Sequence, residues 1–336
     1  MIEEAYFKKR VGRNVFDTLP KVSVVIPAYN CADTIEETLK GALTQKFREH
    51  EIILVNDGSP DTERLERVIR GYLEDIVYIR QRNSGAGVAR NLGIEHARGN
   101  IIAFLDADDV WMPEYLAAQF VFMQRHDYDM VYCDAQLFGM NSAYRRTFME
   151  DAPSEGEANF DSILDLRCNV ITSGTIARKK LILESGMFES ERVRAHDFHL
   201  WLRMAKAGAK IGYQKKVLLK YRVGKDGISG DSVSRVEREI DAFDRVRRTI
   251  ELSQGQQEIV SRRIAGLEAD LAVEKGKSYL LSGSYREAAQ AFRTANKHRR
   301  SPKLAAISWL ARIAPHTLIR HFKSRRSADI ALVPKA

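Results

Sequence analysis

Three carboxylates fall within four positions, at Asp106, Asp108 and Asp109, directly after an apolar run over residues 101–105. Carboxylates crowded in this way repel one another and are hard to keep ionised without a cation beside them. Hard oxygen ligands suit Mg2+ or Mn2+, with the phosphates of a substrate completing the coordination shell. If the backbone stays extended, Asp106 and Asp108 point the same way, because alternate side chains of a strand share a face. The same residues also read as a solvated turn ahead of a helix near Pro113. A fourth carboxylate, Asp197, opens a helical stretch in which Leu200, Met204 and Ala207 form one apolar face. The dipole of a helix N-terminus favours a negative charge there. Such a carboxylate can take a proton from an attacking hydroxyl, or can simply cap the helix. His196 and His199 stand three apart and would suit zinc only with another ligand at matching spacing, which the sequence does not offer.

The elements that must position these groups alternate. Residues 22–26, 51–55, 76–80 and 101–105 read as buried strands, each apolar on both faces as in a covered parallel sheet. Helices are expected over residues 33–45, 61–72, 88–97 and 113–125, the first opened by a capping box of Asp33 and Glu36. Strand–helix alternation with short links predicts a parallel α/β sheet. Ligands of such sheets bind at the carboxyl ends of the strands. Tyr29, Asp57, the Gly85–Gly87 turn and Asp106/Asp108 all follow strands and should therefore converge. Gly85 and Gly87 before a helix would let backbone N–H groups approach an anion, or would make only a tight turn. Arg90, one turn into that helix, could reach a phosphate or a base, or could lie in solvent.

The segments Val22-Ser23-Val24-Val25-Ile26-Pro27-Ala28-Tyr29-Asn30, Val55-Asn56-Asp57-Gly58-Ser59, Asn83-Ser84-Gly85-Ala86-Gly87-Val88-Ala89-Arg90-Asn91 and Phe104-Leu105-Asp106-Ala107-Asp108-Asp109 closely resemble, in order and spacing, the motifs of family 2 glycosyltransferases. The resemblance covers residues 20–225. It implies a GT-A fold, a Rossmann-like sheet that binds a nucleotide-sugar, a UDP-sugar above all. Pro27, Ala28, Tyr29 and Asp57 would hold base and ribose, Gly85 and Arg90 would complete the nucleotide site, and Asp106 would contact the ribose. Asp108 would hold Mn2+ or Mg2+ on the diphosphate. Asp197 would be the base of an inverting transfer of a single sugar to a glycan or lipid-linked acceptor. The family usually carries Glu-Asp where this chain has His196-Asp197, and the histidine often found after Tyr221-Arg222 is replaced by Gly224-Lys225. The glutamine-arginine-tryptophan signature of processive synthases is missing. Cell-surface polysaccharide or lipopolysaccharide assembly is the setting implied. A nucleotidyltransferase should carry a basic Gly-rich loop after the first strand, where Pro27-Ala28-Tyr29-Asn30 stands. A non-catalytic sugar-nucleotide scaffold has no need of Asp106, Asp108 and Asp197 together.

Residues 129–133, 170–177, 210–213 and 217–222 read as further strands, and residues 153–157 as a mobile loop near the acceptor. The expected organisation is a lead-in over residues 1–19, a GT-A domain over 20–233 and a basic α-helical region over 234–336. From Arg235 onward there are 21 Lys+Arg against 11 Asp+Glu, so the net charge of +8 belongs to that last region. Within it, Gly276, Tyr279, Gly283, Tyr285, Ala288, Phe292 and Ala295 resemble one tetratricopeptide repeat near residues 268–302, a hairpin that must pack on something else. Trp309, Leu310, Ile313, Leu318, Ile319 and Phe322 interleave with arginines and a lysine, which suggests an anionic membrane surface or a protein partner. No nucleic-acid motif accompanies the charge. With no apolar leader, no stretch of about 18 apolar residues and three unspaced cysteines, Cys31, Cys133 and Cys168, a cytoplasmic protein, peripheral at the inner face of the membrane, is expected.

Overall fold

The computed structural model describes residues 8–11, 19–139, 146–189, 196–223 and 232–320. The chain divides into two compact units, residues 1–224 and 225–336.

The first unit is built on strands β1 (Lys8–Val11), β2 (Val22–Ala28), β3 (His50–Asp57), β4 (Val77–Gln81), β5 (Ile101–Phe104), β6 (Val110–Trp111), β7 (Met130–Gly139), β8 (Thr175–Arg178) and β9 (Ile211–Val223). They form one sheet in the order β1-β4-β3-β2-β5-β8-β7-β9-β6. The run β4-β3-β2-β5 is parallel, as the alternation predicts. Beyond β5 the sheet is mixed: β8 runs antiparallel to both β5 and β7, β9 parallel to β7, and β6 antiparallel to β9. β1 adds an antiparallel edge inside what reads as a polar lead-in. Every residue of β3 and β5 is buried, which explains their unbroken apolar runs. At the amino edge, buried Glu51 accepts from Ser23 Oγ (2.6 Å), Arg98 N (2.7 Å) and Arg98 Nε (2.9 Å), so its charge is paired.

The covering helices are α1 (Ile35–Leu43), α2 (Thr62–Val68), α3 (Ala86–His96), α4 (Tyr115–Arg125), the short α5 (Phe148–Asp151), α6 (Phe160–Leu164) and α7 (Lys179–Glu184), and α8 (His196–Lys206). The expected capping box does not form. Asp33 pairs with Arg64 and Glu36 with Lys40 (2.8 Å), while the N-cap residue is Thr34. Residues 153–157 are not loose either. Buried Ser154 Oγ accepts from Tyr132 OH (3.0 Å) and Asn169 N (2.8 Å), and Glu155 N donates to Arg167 O (2.9 Å). The two strands expected over 210–213 and 217–222 are one strand, β9. Its pairing jumps from Cys133↔Gln214 to Asp134↔Val217, so Lys215 and Lys216 bulge into solvent between them.

The second unit holds α9 (Ser232–Thr249), α10 (Gln254–Leu281), α11 (Tyr285–Arg299) and α12 (Pro302–Ile313), followed by helical residues 315–320. Helices α10 and α11 approach closely at a glycine: a Cβ on Gly276 would lie 2.7 Å from Phe292 Cε1. The α10–α11 hairpin does pack on other elements, with Leu280, Ala288, Ala289, Phe292, Ala311 and Leu318 forming a core completed by Leu310 and Ile319. Leu310, Leu318 and Ile319 therefore face inward, not toward an outside partner. Phe322 lies outside the described residues. No helix among them is long and apolar enough to cross a membrane.

Candidate active site

The carboxyl ends of β2, β3, β4 and β5 bring the polar loops together. Asp57, the last residue of β3, is buried and accepts from Gln81 Nε2 (2.7 Å), Ser84 N (2.8 Å) and Gly85 N (2.8 Å). Both carboxylate oxygens thereby hold the turn that precedes α3. Gly85 takes φ +97°, a backbone region that side chains rarely enter, which is why glycine stands there. Pro27 and Ala28 end β2 in register with Val55 and Asn56, and Ala28 is fully buried, so it can offer a ligand only backbone. Tyr29 beyond them is 52% exposed on the rim. Its neighbour Asn30, at φ 51°, donates its N–H to Ser59 Oγ (2.6 Å), tying the first loop to the second.

The strand geometry does not persist through the carboxylate cluster. β5 ends at Phe104, and Asp109 N donates to Asp106 O (3.1 Å), closing a turn. Thr34 Oγ1 donates to Ala107 O (2.9 Å), and Asp106 N donates to Ser173 Oγ (3.0 Å), so the turn is held from both sides. Arg222 closes it from β9: its N–H donates to Asp109 Oδ1 (2.8 Å), its Nε to Asp108 O (2.8 Å) and its Nη2 to Glu37 (2.5 Å). The guanidinium lies 4.3 Å over the Phe138 ring.

Desolvation and the neighbouring Asp106 push Asp108 up to about 6, with Arg222 opposing. Asp109 is buried, its carboxyl raised by burial and by Asp108 and Asp106, and its Oδ2 has no hydrogen-bond partner. Excess negative charge on an exposed Asp108, backed by an unsatisfied buried oxygen, fits a divalent cation. Among the described residues no three Cys, His, Asp or Glu side chains enclose a metal, so such an ion would be shared between Asp108 and a ligand's own oxygens.

Arg90 joins this end of the site to the other. It is buried, donates through Nη2 to Asp106 Oδ1 and places Nη1 2.6 Å from His196 Nε2, with Phe188 5.5 Å from its guanidinium. A guanidinium only donates, so His196 Nε2 accepts and the ring proton sits on Nδ1. Asp197 Oδ2 accepts from Thr172 Oγ1 (2.7 Å) and Oδ1 from Phe198 N (2.9 Å). Burial opposes ionisation of Asp197, while the Thr172 hydroxyl, the Arg90 charge and the Phe198 N–H favour it, and the carboxyl lies below the ordinary aspartate range. The Tyr221 phenol is raised by burial and by the charges of Asp109, Asp106, Asp108 and Asp197. His199 does not turn toward this site: its Nδ1 lies 3.3 Å from Glu189 Oε1.

Arg222, Thr172 and Ser173 were not singled out by sequence as contacts to the carboxylates. The signal for the last two was present, as the polar run Thr172-Ser173-Gly174 inside an otherwise apolar strand-like stretch. In the structure that run is a 3-10 turn.

The family model described as Glycosyl transferase family 2 matches residues 23–184. The putative teichuronic acid biosynthesis glycosyltransferase TuaG of Bacillus subtilis is 30% identical over 218 residues, 63% of this chain and 82% of its own length. The uncharacterized glycosyltransferase RP339 of Rickettsia prowazekii is 28% identical over 221 residues, 65% of this chain and 69% of its own. Among solved structures, S. aureus TarS 1–349 superposes with a TM-score of 0.57 at 19% identity, over 92% of each chain. The mannosyltransferase PcManGT of Pyrobaculum calidifontis, solved with GDP-Man and Mn2+, superposes with a TM-score of 0.59 at 20% identity, over 94% of this chain and 86% of its own. The fold is GT-A, and with the four motif loops gathered at one sheet edge the chain belongs to glycosyl transferase family 2 and is a glycosyltransferase.

Proposed function

We propose that the enzyme moves one sugar from a nucleotide-diphosphate donor, a UDP-sugar first, to an acceptor hydroxyl with inversion at the anomeric carbon. Asp57, the Pro27-Ala28-Tyr29 segment, the Gly85 turn, Arg90 and Asp106 form the nucleotide side. Asp197, ionised at neutral pH, takes the acceptor proton as the acceptor oxygen attacks the anomeric carbon. The bond from that carbon to the diphosphate oxygen breaks on the opposite face, and the electron pair leaves with the nucleoside diphosphate. Asp108 would hold Mg2+ or Mn2+, which when bound neutralises charge developing on the departing diphosphate. Arg90 couples the two ends by touching Asp106 and His196 at once, which keeps the base in a fixed relation to the donor carboxylate. That contact is the observation that carries the reading.

Complexes of TarS with UDP-GlcNAc and of PcManGT with GDP-Man and Mn2+ support a nucleotide-sugar donor. The name of TuaG supports a cell-surface polysaccharide as the product. The acceptor is read as a glycan or a lipid-linked glycan at the inner face of the membrane. A thermal-shift panel of UDP-, dTDP-, GDP- and CMP-sugars with and without Mn2+ tests the donor, since a ligand of the native state raises Tm. A metal-dependent rise for one nucleotide class, lost in Asp108→Ala, is expected. No rise with any of them would overturn the reading.

A further inference from the structure

The helical second unit carries a groove that the transfer reaction does not use. It is a concavity of about 400 Å³ between α11 and α12, lined by Arg293, Asn296 and Lys297 from one helix and Ser308, Trp309 and Arg312 from the other. Its three cations have no carboxylate partner among the described residues, unlike Arg299, which reaches Asp270 (2.5 Å). The sequence explains why. Residues 288–328 contain ten Lys+Arg and not one Asp or Glu.

Apolar surface accompanies the charge. Trp309 is 62% exposed and Ile313, one turn on, 55% exposed, on the same face of α12 as Arg312. Ile307, Leu310, Ala311, Leu318 and Ile319 are spent on the internal core, and Trp309 and Ile313 take no part in it. A soluble anion such as free phosphate calls for the cations alone. A tryptophan and an isoleucine standing beside unpaired cations match a bilayer interface, where the indole sits at headgroup level and basic side chains meet lipid phosphates.

We propose that the α11–α12 groove is a membrane-docking site for anionic phospholipid headgroups. Arg293, Lys297 and Arg312 take the phosphate, while Trp309 and Ile313 enter the interface. This deepens the reading of a lipid-linked acceptor and rests on it only for the cellular setting, since the groove needs no catalysis to bind.

The test is flotation of the full chain with vesicles of phosphatidylcholine alone or with phosphatidylglycerol at about three to one, read together with tryptophan emission. Trp111 and Trp201 are 2% and 1% exposed, so an emission shift on vesicle binding reports Trp309. Recruitment to the anionic vesicles only, with a blue shift that Trp309→Phe abolishes, is expected. The triple variant Arg293→Gln/Lys297→Gln/Arg312→Gln should lose on the order of a hundredfold in partitioning. Its nucleotide-induced thermal shift should be unchanged, which separates failure of this site from failure of the donor reading. Should the triple variant melt early, Trp309→Ser at its exposed position carries the test. Equal binding to both vesicles, undiminished binding by these variants, or a Trp309 signal with inorganic phosphate but no vesicle recruitment would each overturn the proposal. So would an RNA that binds through the same residues while anionic vesicles do not.

Discussion

Arg90 Nη1 lies 2.6 Å from His196 Nε2, although 106 residues separate the two in sequence. Where the family usually places a glutamate, this chain holds its buried guanidinium with a neutral ring nitrogen. His196→Leu keeps much of the volume but removes the acceptor, leaving a second buried nitrogen of Arg90 unsatisfied beside Nε. A loss of about 1–3 kcal/mol in unfolding free energy is expected. His196→Glu restores an acceptor, now charged, and should recover most of it. Urea melts of the three proteins decide between these outcomes.

Asp197→Asn keeps the shape of the side chain and its place beside Thr172 but cannot accept the acceptor proton. A fall of about 10²–10⁴ in kcat with nearly unchanged donor affinity is expected. Single-turnover rates and donor titrations separate the two quantities. A variant that lost donor binding in proportion to rate would put Asp197 on the nucleotide side instead.

Asp108 sets a pH signature of the unliganded protein. Its carboxyl, ordinarily near 3.8, is pushed up to about 6, so the folded state binds this proton more tightly than the unfolded state. Stability from this group therefore falls as pH rises through that window. The group is open to solvent and the effect is screened, so Asp108→Asn should raise the apo Tm at pH 7 by about 1–3 °C. Added Mn2+ with nucleotide should raise the wild-type Tm and leave the variant unmoved. Melting curves at pH 4.5 and 7, with and without metal, check both signs.

Gly85→Ala puts a side chain where φ is +97° and loosens the turn that Asp57 holds. A cost of about 1–3 kcal/mol is expected from the strain, accompanied by weaker nucleotide binding. Isothermal titration with the nucleotide and a urea melt read the two consequences apart.

The central strands and the four motif loops were legible because each loop follows a buried apolar run, and a parallel sheet gathers such loops at one edge. Asp57 was legible as a polar residue at the sheet edge, but not its use of both oxygens on Gln81 and the Gly85 turn, since those bonds join residues 24 to 28 apart in sequence. A shared direction for Asp106 and Asp108 needs a strand through both, and the strand stops at Phe104. Their closeness comes from the turn after it. Asp33 and Glu36 carry the spacing of a capping box, yet Arg64 and Lys40 claim them first. Residues 153–157 look mobile by composition because nothing local reveals that Ser154 is buried against Tyr132. Arg222 was invisible as a clamp for a different reason: its place depends on how β9 is phased against β7.

That phasing has a consequence for how this enzyme can vary. Lys215 and Lys216 are both exposed and pair with no residue of β7, so the ladder fixes neither their chemical identity nor their number. Deleting one would shorten the bulge, with Leu219 still opposite Ala135 and Arg222 still opposite Phe138. Deleting both would join Gln214 to Val217, which already face the adjacent Cys133 and Asp134, so the ladder would close without moving Arg222. The two lysines act as slack in the chain, and relatives that keep the Arg222 clamp should differ there in both length and side chains.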